Sequence, residues 1–264
     1  MELRPLGATG ILVSLLGFGT VKVGRNQQVK YPHSFEIPDD AAVVALLSLA
    51  RELGINLLDT APAYGNSEQR LGQLLPGPRE DWVIVSKVGE FFEGGKSYFD
   101  FSYDTTIRTV EQSLRNLKTD YLDVVLIHSD GDDCRILKEE GVLDALRTLK
   151  EKGIIRAHGM SSKTVAGGLQ AVADTDVVMA TCNPTYHDEI PVLKAAAEQN
   201  KGVLIKKALQ SGHIKNGSVE ESMRFIFAQP GVSAAIVGTI NPVHLKANAL
   251  ALSTVLAKKQ NVIA

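Results

Sequence analysis

The stretch VIVSKVGE, residues 83–90, is a short apolar run that ends on a lysine. Val83, Ile84 and Val85 follow one another without polar interruption, which is typical of a strand covered on both faces in a parallel sheet. Burying an ammonium is costly, so Lys87 either reaches solvent where the strand ends or stands at the mouth of a site. The other strand-like runs of the chain bear on this choice.

Seven similar runs recur along the chain, and amphipathic segments separate them. The eight runs are SLLGFGT (14–20), INLLDT (55–60), WVIVSK (82–87), YLDVVLIHSD (121–130), IIRAHGMSS (154–162), VVMATCN (177–183), GVLIKKA (202–208) and AAIVGT (234–239). The segments predicted as helices are 39–53, 67–75, 104–117, 138–152, 163–173, 188–199, 218–228 and 241–254. Eight strands alternating with eight helices predict a single α/β domain over residues 1–264, folded as a (β/α)8 TIM barrel. The opening LRPLGATGILVS (3–14) predicts a short N-terminal β-hairpin that closes the barrel floor.

Cap residues support these helix boundaries. The predicted caps are Asp39 with Asp40, Asp104 to Thr106, Ser218 with Glu221, and Asn241 with Pro242 at helix starts, and Gly54 and Gly153 at helix ends. The alternative architecture, a Rossmann-type sheet, requires G-x-G-x-x-G where the first helix opens. Gly17-Phe18-Gly19 lacks the third glycine and precedes a long loop, which favours the barrel. Residues 21–38 and 89–103 are predicted to be irregular loops over a site.

The composition indicates which kind of binding partner and which cellular compartment to expect. The chain is 44% hydrophobic and 22% charged with a net charge of -2, so we expect a small-molecule partner rather than nucleic acid or a membrane surface. The oligomeric state is left open. The N-terminus lacks an apolar signal region, and the apolar helical stretch AAVVALLSLA is too short to span a bilayer. Cys134 and Cys182 show neither CxxC nor zinc spacing, so we predict a cytoplasmic protein without a metal site.

Each predicted strand ends in a residue that can bind a ligand or take part in chemistry. These residues are Thr20, Asp59, Lys87, His128, Ser161 with Ser162, Asn183, Lys206 with Lys207, and Gly238 with Thr239. In a (β/α)8 barrel the carboxyl ends of all strands meet on one face, and the active site lies on that face. Lys87 is therefore predicted to lie in a site beside the other strand-end residues.

Asp59, Lys87 and His128 end three successive strands, and neighbouring strands lie about 4.8 Å apart. Tyr64 follows Asp59 closely, in the block DTAPAYGNSEQRLGQLL. These residue types suit proton transfer, because an ammonium near a phenol favours the phenolate and brings its pKa down from about 10. Asp59 would balance the charge of Lys87. His128 would orient a carbonyl oxygen and donate a hydrogen bond to it.

Several longer stretches carry a resemblance that covers almost the whole chain. They are RPLGATGILVSLLGFGT, GINLLDTAPAYGNSEQRLG, VSKVG, SLRNLKTDYLDVVLIH, GMSS and AAIVGTINPVHLKANALAL. In these stretches the sequence resembles the aldo-keto reductases, a family of NADP(H)-dependent (β/α)8-barrel enzymes. The resemblance implies that Asp59, Tyr64, Lys87 and His128 form the family's catalytic tetrad. It also implies reduction of an aldehyde or ketone by direct hydride transfer, with Tyr64 as the general acid.

The resemblance further implies a site for NADP(H), with NAD(H) not excluded. The residues at the family's cofactor-binding positions are Gly19, Thr20, Ser161, Ser162, Asn183, Lys206, Lys207, Leu209, Ser211, Gly212, Gly238, Thr239, Asn241, His244 and Asn248. Ser162 stands where asparagine is usual, and Asn183 stands where a glutamine pairs with the carboxamide. Lys206 occupies the position of a tyrosine that commonly stacks on nicotinamide. The alkyl stem of Lys206, or Tyr186, would then have to hold the ring.

Other interpretations stay open at this point. Lys207 and His244 could bind the 2′-phosphate in place of the usual arginine, or Lys206 and Lys207 could be surface charges. The replaced stacking tyrosine also suits a nucleotide-binding regulatory subunit with little turnover, and Lys87 or Lys206 could serve a Schiff-base lyase. The aromatic segment 90–104 is either a substrate-facing loop or rim packing. Few residues follow the last predicted helix, so we expect an open pocket with broad specificity for an unidentified carbonyl substrate.

Overall fold

The computed structural model describes residues 1–214 and 218–260. Its strands are β1 Leu3–Pro5, β2 Leu12–Ser14, β3 Leu16–Gly19, β4 Leu57–Asp59, β5 Val83–Val88, β6 Glu90–Glu93, β7 Lys96–Phe99, β8 Leu122–His128, β9 Ile155–Ser161, β10 Val177–Thr181, β11 Gly202–Lys206 and β12 Val232–Val237. Its helices are α1 Val21–Gly24, α2 Asp40–Glu52, α3 Ser67–Leu74, α4 Tyr103–Leu117, α5 Asp133–Glu139, α6 Val142–Glu151, α7 Val165–Asp174, α8 Ile190–Glu198, α9 Val219–Phe227 and α10 Pro242–Gln260. Among these described helices, none combines the length and apolarity needed to cross a membrane.

Eight of the strands close into a parallel barrel. The order around the barrel is β10-β11-β12-β3-β4-β5-β8-β9, so strands consecutive in the predicted pattern are neighbours in space. Pairs in register at the carboxyl ends are Gly19 with Asp59, His128 with Ser161, and Thr181 with Lys206. The predicted (β/α)8 TIM barrel is confirmed, and the strand ends that carry polar residues share one face.

Apolar side chains form an outer layer between barrel and helices and an inner layer inside the barrel. On β4, Leu58 belongs to the outer layer and Leu57 to the inner one, because successive side chains of a strand point to opposite faces. Leu6, Ile11 and Val13 of the β1–β2 hairpin are buried in the inner layer. Burying each such side chain stabilises the fold by about 1.5–3 kcal/mol. The hairpin therefore closes the barrel floor, as predicted.

Several helix caps agree with the sequence. Asp39 accepts a hydrogen bond from a first-turn N–H of α2 at 2.8 Å. Ser218 and Glu221 form the predicted capping box at α9. Gly54 and Gly153 have φ values of 75° and 71°, the left-handed conformation that glycine readily adopts after a helix.

Three predicted helix boundaries are wrong. The last helix, predicted as 241–254, continues to Gln260 as α10. The segment 138–152 is not one helix, because Glu140 is extended and separates α5 from α6. A side chain on the adjoining Gly141 would lie 2.8 Å from the first backbone nitrogen of α4, so close packing between helices fixes this break. The cap predicted at Asp104 is also displaced, since α4 begins one residue earlier and Ser102 is its N-cap.

Segment 89–103, predicted to be irregular, contains a β-hairpin. Strands β6 and β7 pair antiparallel through Gly94-Gly95, whose φ values of 56° and 78° are those of a tight two-residue turn. Gly89 has φ 99°, and a side chain there would lie 2.3 Å from a neighbouring aromatic ring. This sharp exit from β5 brings β6 beside the carboxyl end of β8. Segment 21–38 is irregular beyond α1, as predicted.

Candidate active site

Lys87 is the second-last residue of β5, and its side chain lies inside the barrel mouth and not in solvent. Only 2% of its side chain is exposed, and Nζ donates to Asp59 Oδ1 at 2.5 Å and to the Thr60 carbonyl at 2.9 Å. Asp59 ends the neighbouring strand β4, whose register with β5 brings the two side chains together. The buried ammonium is tolerated because a carboxylate and a carbonyl satisfy it.

Tyr64 lies in the loop between β4 and α3, with its ring against Lys87. The ammonium is 4.7 Å from the ring centroid, a cation–π distance, and within the described residues Lys87 donates to Asp59 and the backbone but not to the phenol oxygen. Gly65 shapes this loop, since its φ is 64° and a Cβ there would lie 2.1 Å from the Gly24 carbonyl oxygen. Glycine is therefore required directly after Tyr64, and this requirement fixes the path of the loop.

The pKa of Tyr64 is raised well above its usual value of 10, so the prediction of a lowered pKa is wrong. Burial is the largest cause, the negative charges of Asp59 and Glu90 act in the same direction, and Arg25 opposes them. Lys87 does not act as an uncompensated positive charge on the phenol, because the Asp59 carboxylate balances it. Tyr64 is therefore a neutral phenol at neutral pH and holds a proton that it can donate.

His128 ends β8 next to Tyr64, with ring centroids 6.2 Å apart and ring planes at 86°. Its Nδ1 lies 2.8 Å from Glu90 Oε2, although the angle is not that of an aligned hydrogen bond. Burial is the largest cause that lowers the pKa of His128, Glu90 opposes it, and Lys87 and Lys206 add to it. The imidazole is therefore neutral over most of the neutral range.

The four predicted catalytic residues converge at the carboxyl ends of β4, β5 and β8. They are Asp59, Tyr64, Lys87 and His128. A neutral phenol in this position can pass its proton to an oxygen placed beside it. Arg25 is the charged group that lowers the pKa of Tyr64, so it would favour the phenolate that remains, because an opposite charge nearby favours the ionised form.

Lys206 ends β11 and turns into the barrel mouth. Its Nζ donates to Ser161 Oγ at 2.9 Å and to the Ser162 carbonyl at 2.5 Å. Burial lowers the pKa of Lys206 to about 8, with Glu189 opposing the shift and Lys207 adding to it. Lys206 is thus a half-buried, hydrogen-bonded group and not a solvated surface charge, whereas Lys207 is exposed.

Ser162 and Asn183, both predicted to contact the cofactor, differ in their free hydrogen-bonding capacity. Ser162 Oγ is buried and lacks a partner among the described residues. Asn183 Oδ1 accepts from the N–H and the hydroxyl of Thr185 at 3.0 and 2.8 Å, and its Nδ2 donates to the Lys207 carbonyl at 3.2 Å. Ser162 is fully buried, with Oγ against Gly168 of α7, so neighbouring atoms must move before a bound group can reach it, and Asn183 must first give up a partner.

The loop after β11 holds Leu209, Ser211 and Gly212, which are predicted to bind pyrophosphate. Gln210, Ser211 and Gly212 have φ values of 52°, 55° and 86°. Left-handed backbone costs roughly 1–2 kcal/mol at a non-glycine residue, and consecutive residues of this kind are uncommon. Such strain is typical of segments that clamp a ligand.

The segment after α1 folds across two of the predicted cofactor residues. The Pro32 ring lies 3.4 Å from where a Cβ of Gly212 would stand, and the Tyr31 hydroxyl lies 3.0 Å from the corresponding point at Gly238. Because glycine has no side chain at either position, Pro32 and Tyr31 can approach the backbone there closely.

The remaining predicted cofactor residues lie at the end of β3, in the loop between β12 and α10, and in the first two turns of α10. They are the buried Gly19, Thr20, Thr239 and Asn248, and the exposed Asn241 and His244. Thr20 Oγ1 donates to the Asp59 carbonyl at 2.9 Å and so ties the ends of β3 and β4 together. Asn241 Oδ1 accepts the Val243 N–H at 2.9 Å, as expected of a residue that opens a helix.

Two charged residues of the site, Arg25 and Glu90, are not among those predicted from the sequence. Arg25 Nη1 donates to the carbonyl of Ala63 at 3.0 Å, directly before Tyr64. Its guanidinium carbon lies 3.4 Å from the centroid of the Phe92 ring. For Glu90 the available signal was the Gly-Gly pair at 94–95, which predicts a hairpin and hence a defined position for the residues on its strands. This signal does not bear on Arg25, which follows α1.

Comparison with known proteins agrees with the barrel fold. The profile described as the Aldo/keto reductase family matches residues 15–222. L-galactose dehydrogenase of Arabidopsis thaliana is 31% identical over 277 residues, which cover 98% of this chain and 82% of the relative. The NADH-specific methylglyoxal reductase of Escherichia coli (strain K12) is 32% identical over 175 residues, 61% of this chain and 52% of the relative. A solved structure from Pseudomonas aeruginosa, assigned to the aldo-keto reductases, has a TM-score of 0.88, 52% identity and 96% coverage of both chains.

The fold and these comparisons together define an oxidoreductase of the TIM-barrel class. The chain belongs to the aldo-keto reductase family, in which enzymes act with a nicotinamide cofactor on small carbonyl substrates. The resemblance seen in the sequence is thereby confirmed.

Proposed function

We propose that this enzyme reduces an aldehyde or ketone to an alcohol with NADP(H), NAD(H) not being excluded, and that Tyr64 is its general acid. The observation that carries the proposal is the convergence of Tyr64 and His128 on the buried Lys87–Asp59 pair at the barrel mouth. A buried ion pair beside a phenol has no need to exist for folding alone, since an apolar pair of similar volume would serve as well or better. Its presence at the strand ends supports a chemical role.

The residues at the mouth fit a nicotinamide dinucleotide. The strained loop after β11, with Ser211 and Gly212, has the backbone conformation typical of a ligand clamp, and Ser161 lies beside Lys206 at the mouth. When bound, the cofactor supplies the hydride that reduces the carbonyl carbon. Lys207 and His244 would hold the 2′-phosphate, and the alkyl stem of Lys206 would support the nicotinamide ring.

The protein's own part in the reaction is a proton transfer at the substrate oxygen. Tyr64 gives its hydroxyl proton to the carbonyl oxygen as the carbon accepts the hydride, so the oxygen becomes an alcohol and Tyr64 a phenolate. Lys87, held in place by Asp59, supports the Tyr64 ring, Arg25 favours the phenolate by its charge, and the phenol regains its proton from solvent. The raised pKa of Tyr64 keeps the phenol protonated before each turnover.

The substrate class is a small aldehyde or a sugar carbonyl. The two relatives are named for L-galactose and for methylglyoxal, and both compounds carry or generate an aldehyde. We also propose a cytoplasmic location, which the free thiols of Cys134 and Cys182 support.

Two measurements test the proposal together. Fluorescence titration with NADPH and with NADH, each alone, tests binding and preference. Turnover with methylglyoxal, L-galactose and simple aldehydes then tests the reaction. Binding of at least one nucleotide with measurable turnover is expected; tight binding without any turnover would instead favour the regulatory-subunit interpretation.

A second candidate function rests on Lys206. A half-buried amine with a pKa of about 8 at a barrel strand end can act as a nucleophile and form an imine with a carbonyl. Borohydride added to protein and aldehyde, followed by intact-mass spectrometry, distinguishes this lyase chemistry. An adduct that disappears in Lys206→Met favours the lyase, and absence of any adduct removes it.

A further inference from the structure

Glu90 opens the β6–β7 hairpin and lies against the imidazole of His128. Its Oε2 is 2.8 Å from His128 Nδ1, and only 13% of the Glu90 side chain and 19% of that of His128 are exposed. Two further groups hold the carboxylate in this position. Ser97, on the opposite strand of the hairpin, donates to Oε1 at 2.6 Å, and Arg25 Nη1 lies 3.8 Å from the same oxygen.

We propose that Glu90 is a positioning residue of the reaction, which fixes the imidazole proton of His128 on Nδ1 and favours the protonated ring. The inference rests on the proposed function, because it concerns the same barrel mouth. Its physical basis is that a bare Nδ1 lone pair facing a carboxylate at 2.8 Å would be repelled, whereas an Nδ1–H is attracted.

The carboxylate is ionised over the whole working range. Burial by itself raises the pKa of Glu90, but the contacts with His128, Ser97 and Arg25 outweigh it and lower the pKa to about 2. Glu90 therefore presents a full negative charge to His128, and Glu90→Gln removes that charge with little change of shape.

Four charged or titratable groups face the His128 ring from the elements packed around it. They are Glu90 on β6, Lys87 on β5, Lys206 on β11 and Tyr64 in the loop before α3. The two lysines disfavour the imidazolium, and Glu90 is the only one of these four that favours it. The protonation of His128 is thus set by a balance in which Glu90 opposes both lysines and the effect of burial.

The position of the proton decides what His128 can do for a substrate. With the proton held on Nδ1, the neutral ring offers Nε2 on its other edge as an acceptor, and Nε2 donates only when the ring is doubly protonated. The predicted role of His128 as a hydrogen-bond donor to the carbonyl oxygen then applies to the imidazolium alone. In the neutral ring, Nε2 would accept a hydrogen bond and leave donation to Tyr64.

Ring-nitrogen NMR of the ligand-free protein labelled with nitrogen-15 tests this inference without cofactor or substrate. The His128 signals are assigned by their loss in His128→Asn. In the wild type we expect the neutral ring to carry its proton on Nδ1. Glu90→Gln should lower the pKa of His128 by about one unit or more, since a charge at this distance shifts a pKa by roughly 1–3 units. Glu90→Ala should do the same and also release the proton to Nε2.

Glu93→Gln is the matched control, because Glu93 lies on the same strand and is exposed. It should leave the ring shifts and the pKa of His128 as in the wild type. An Nε2–H tautomer in the wild type, or an unchanged pKa of His128 in Glu90→Gln, would overturn the inference. Glu90→Gln keeps the shape of the side chain and serves as the test even where Glu90→Ala fails to fold.

Kinetics provide a second readout that separates this inference from the proposed function. In the pH profile of kcat/KM for aldehyde reduction, the step that reports His128 should move to lower pH in Glu90→Gln and stay fixed in Glu93→Gln. An unmoved step would count against Glu90. A wild type without turnover would remove the proposed function, while the NMR result would still decide the role of Glu90.

Discussion

The buried pair of Asp59 and Lys87 is predicted to be strongly coupled, and a double-mutant cycle measures the coupling. Two unit charges 2.5 Å apart attract by about 7 kcal/mol at an effective dielectric constant of about 20, and desolvation of both ions offsets part of this. Removing one partner strands the other in a site with side-chain exposure of 2% and 8%. Asp59→Asn and Lys87→Met should each cost about 3–5 kcal/mol of unfolding free energy. The double variant should cost no more than either single one.

Urea unfolding at pH 7 is the assay, followed by far-UV circular dichroism and by fluorescence of the single, buried Trp82. The exposed pair Arg51–Asp81 is the matched control, with N···O 2.6 Å but side-chain exposures of 48% and 42%. Its cycle should give a coupling below about 1 kcal/mol, because solvent screens the charges. Two results would refute the reasoning. One is that the losses of unfolding free energy in Asp59→Asn and Lys87→Met add up in the double variant, and the other is that the buried and the exposed pair have equal coupling energies.

Three further results are expected. Burial lowers the pKa of His158 to about 4 from an ordinary 6.5, so the stability linked to this residue is complete above pH 6.5 and is lost as the pH falls towards 4. The loss amounts to about 3 kcal/mol, and His158→Asn should remove this part of the pH dependence in urea midpoints taken between pH 7 and 4.5. Gly65→Ala should cost at least about 2 kcal/mol in urea unfolding, with reduced turnover, because of its φ of 64° and the clash with the Gly24 carbonyl. Lys206→Met should raise the pKa of His128 in an NMR titration, because it removes a nearby positive charge.

For each of these three expectations, one result would contradict it. If the wild type and His158→Asn lose the same unfolding free energy between pH 7 and 4.5, groups other than His158 cause the loss of stability in acid. A Gly65→Ala protein as stable as the wild type would mean that the loop relaxes without cost. A pKa of His128 that stays the same or falls in Lys206→Met would show that Lys206 does not act on the ring.

The barrel could be predicted from the sequence because its determinants are local. Strands covered on both faces read as continuous apolar runs, and the strand-end positions of Asp59, Lys87 and His128 then follow from topology. Glu90 could not be assigned in this way, because its contact with His128 depends on a hairpin that folds back from β5. The Gly94-Gly95 turn was the local signal for that hairpin.

The pKa shifts in the site were harder to predict from the sequence than the residues that form it. The sign of the pKa shift at Tyr64 depends on how fully Asp59 balances Lys87 and on the depth of burial, which no spacing in the sequence reveals. The break at Glu140 and Gly141 likewise comes from packing against α4 and not from local propensity.

The most direct test of the central proposal is a single turnover by Tyr64→Phe with bound NADPH and an aldehyde that the wild type reduces. Phenylalanine keeps the ring against Lys87 and removes only the hydroxyl that donates the proton. The expected result is nucleotide affinity within about twofold of the wild type, with alcohol formation slowed by a factor of about 100 or more. Alcohol formation at the wild-type rate would contradict the assignment of Tyr64 as the proton donor.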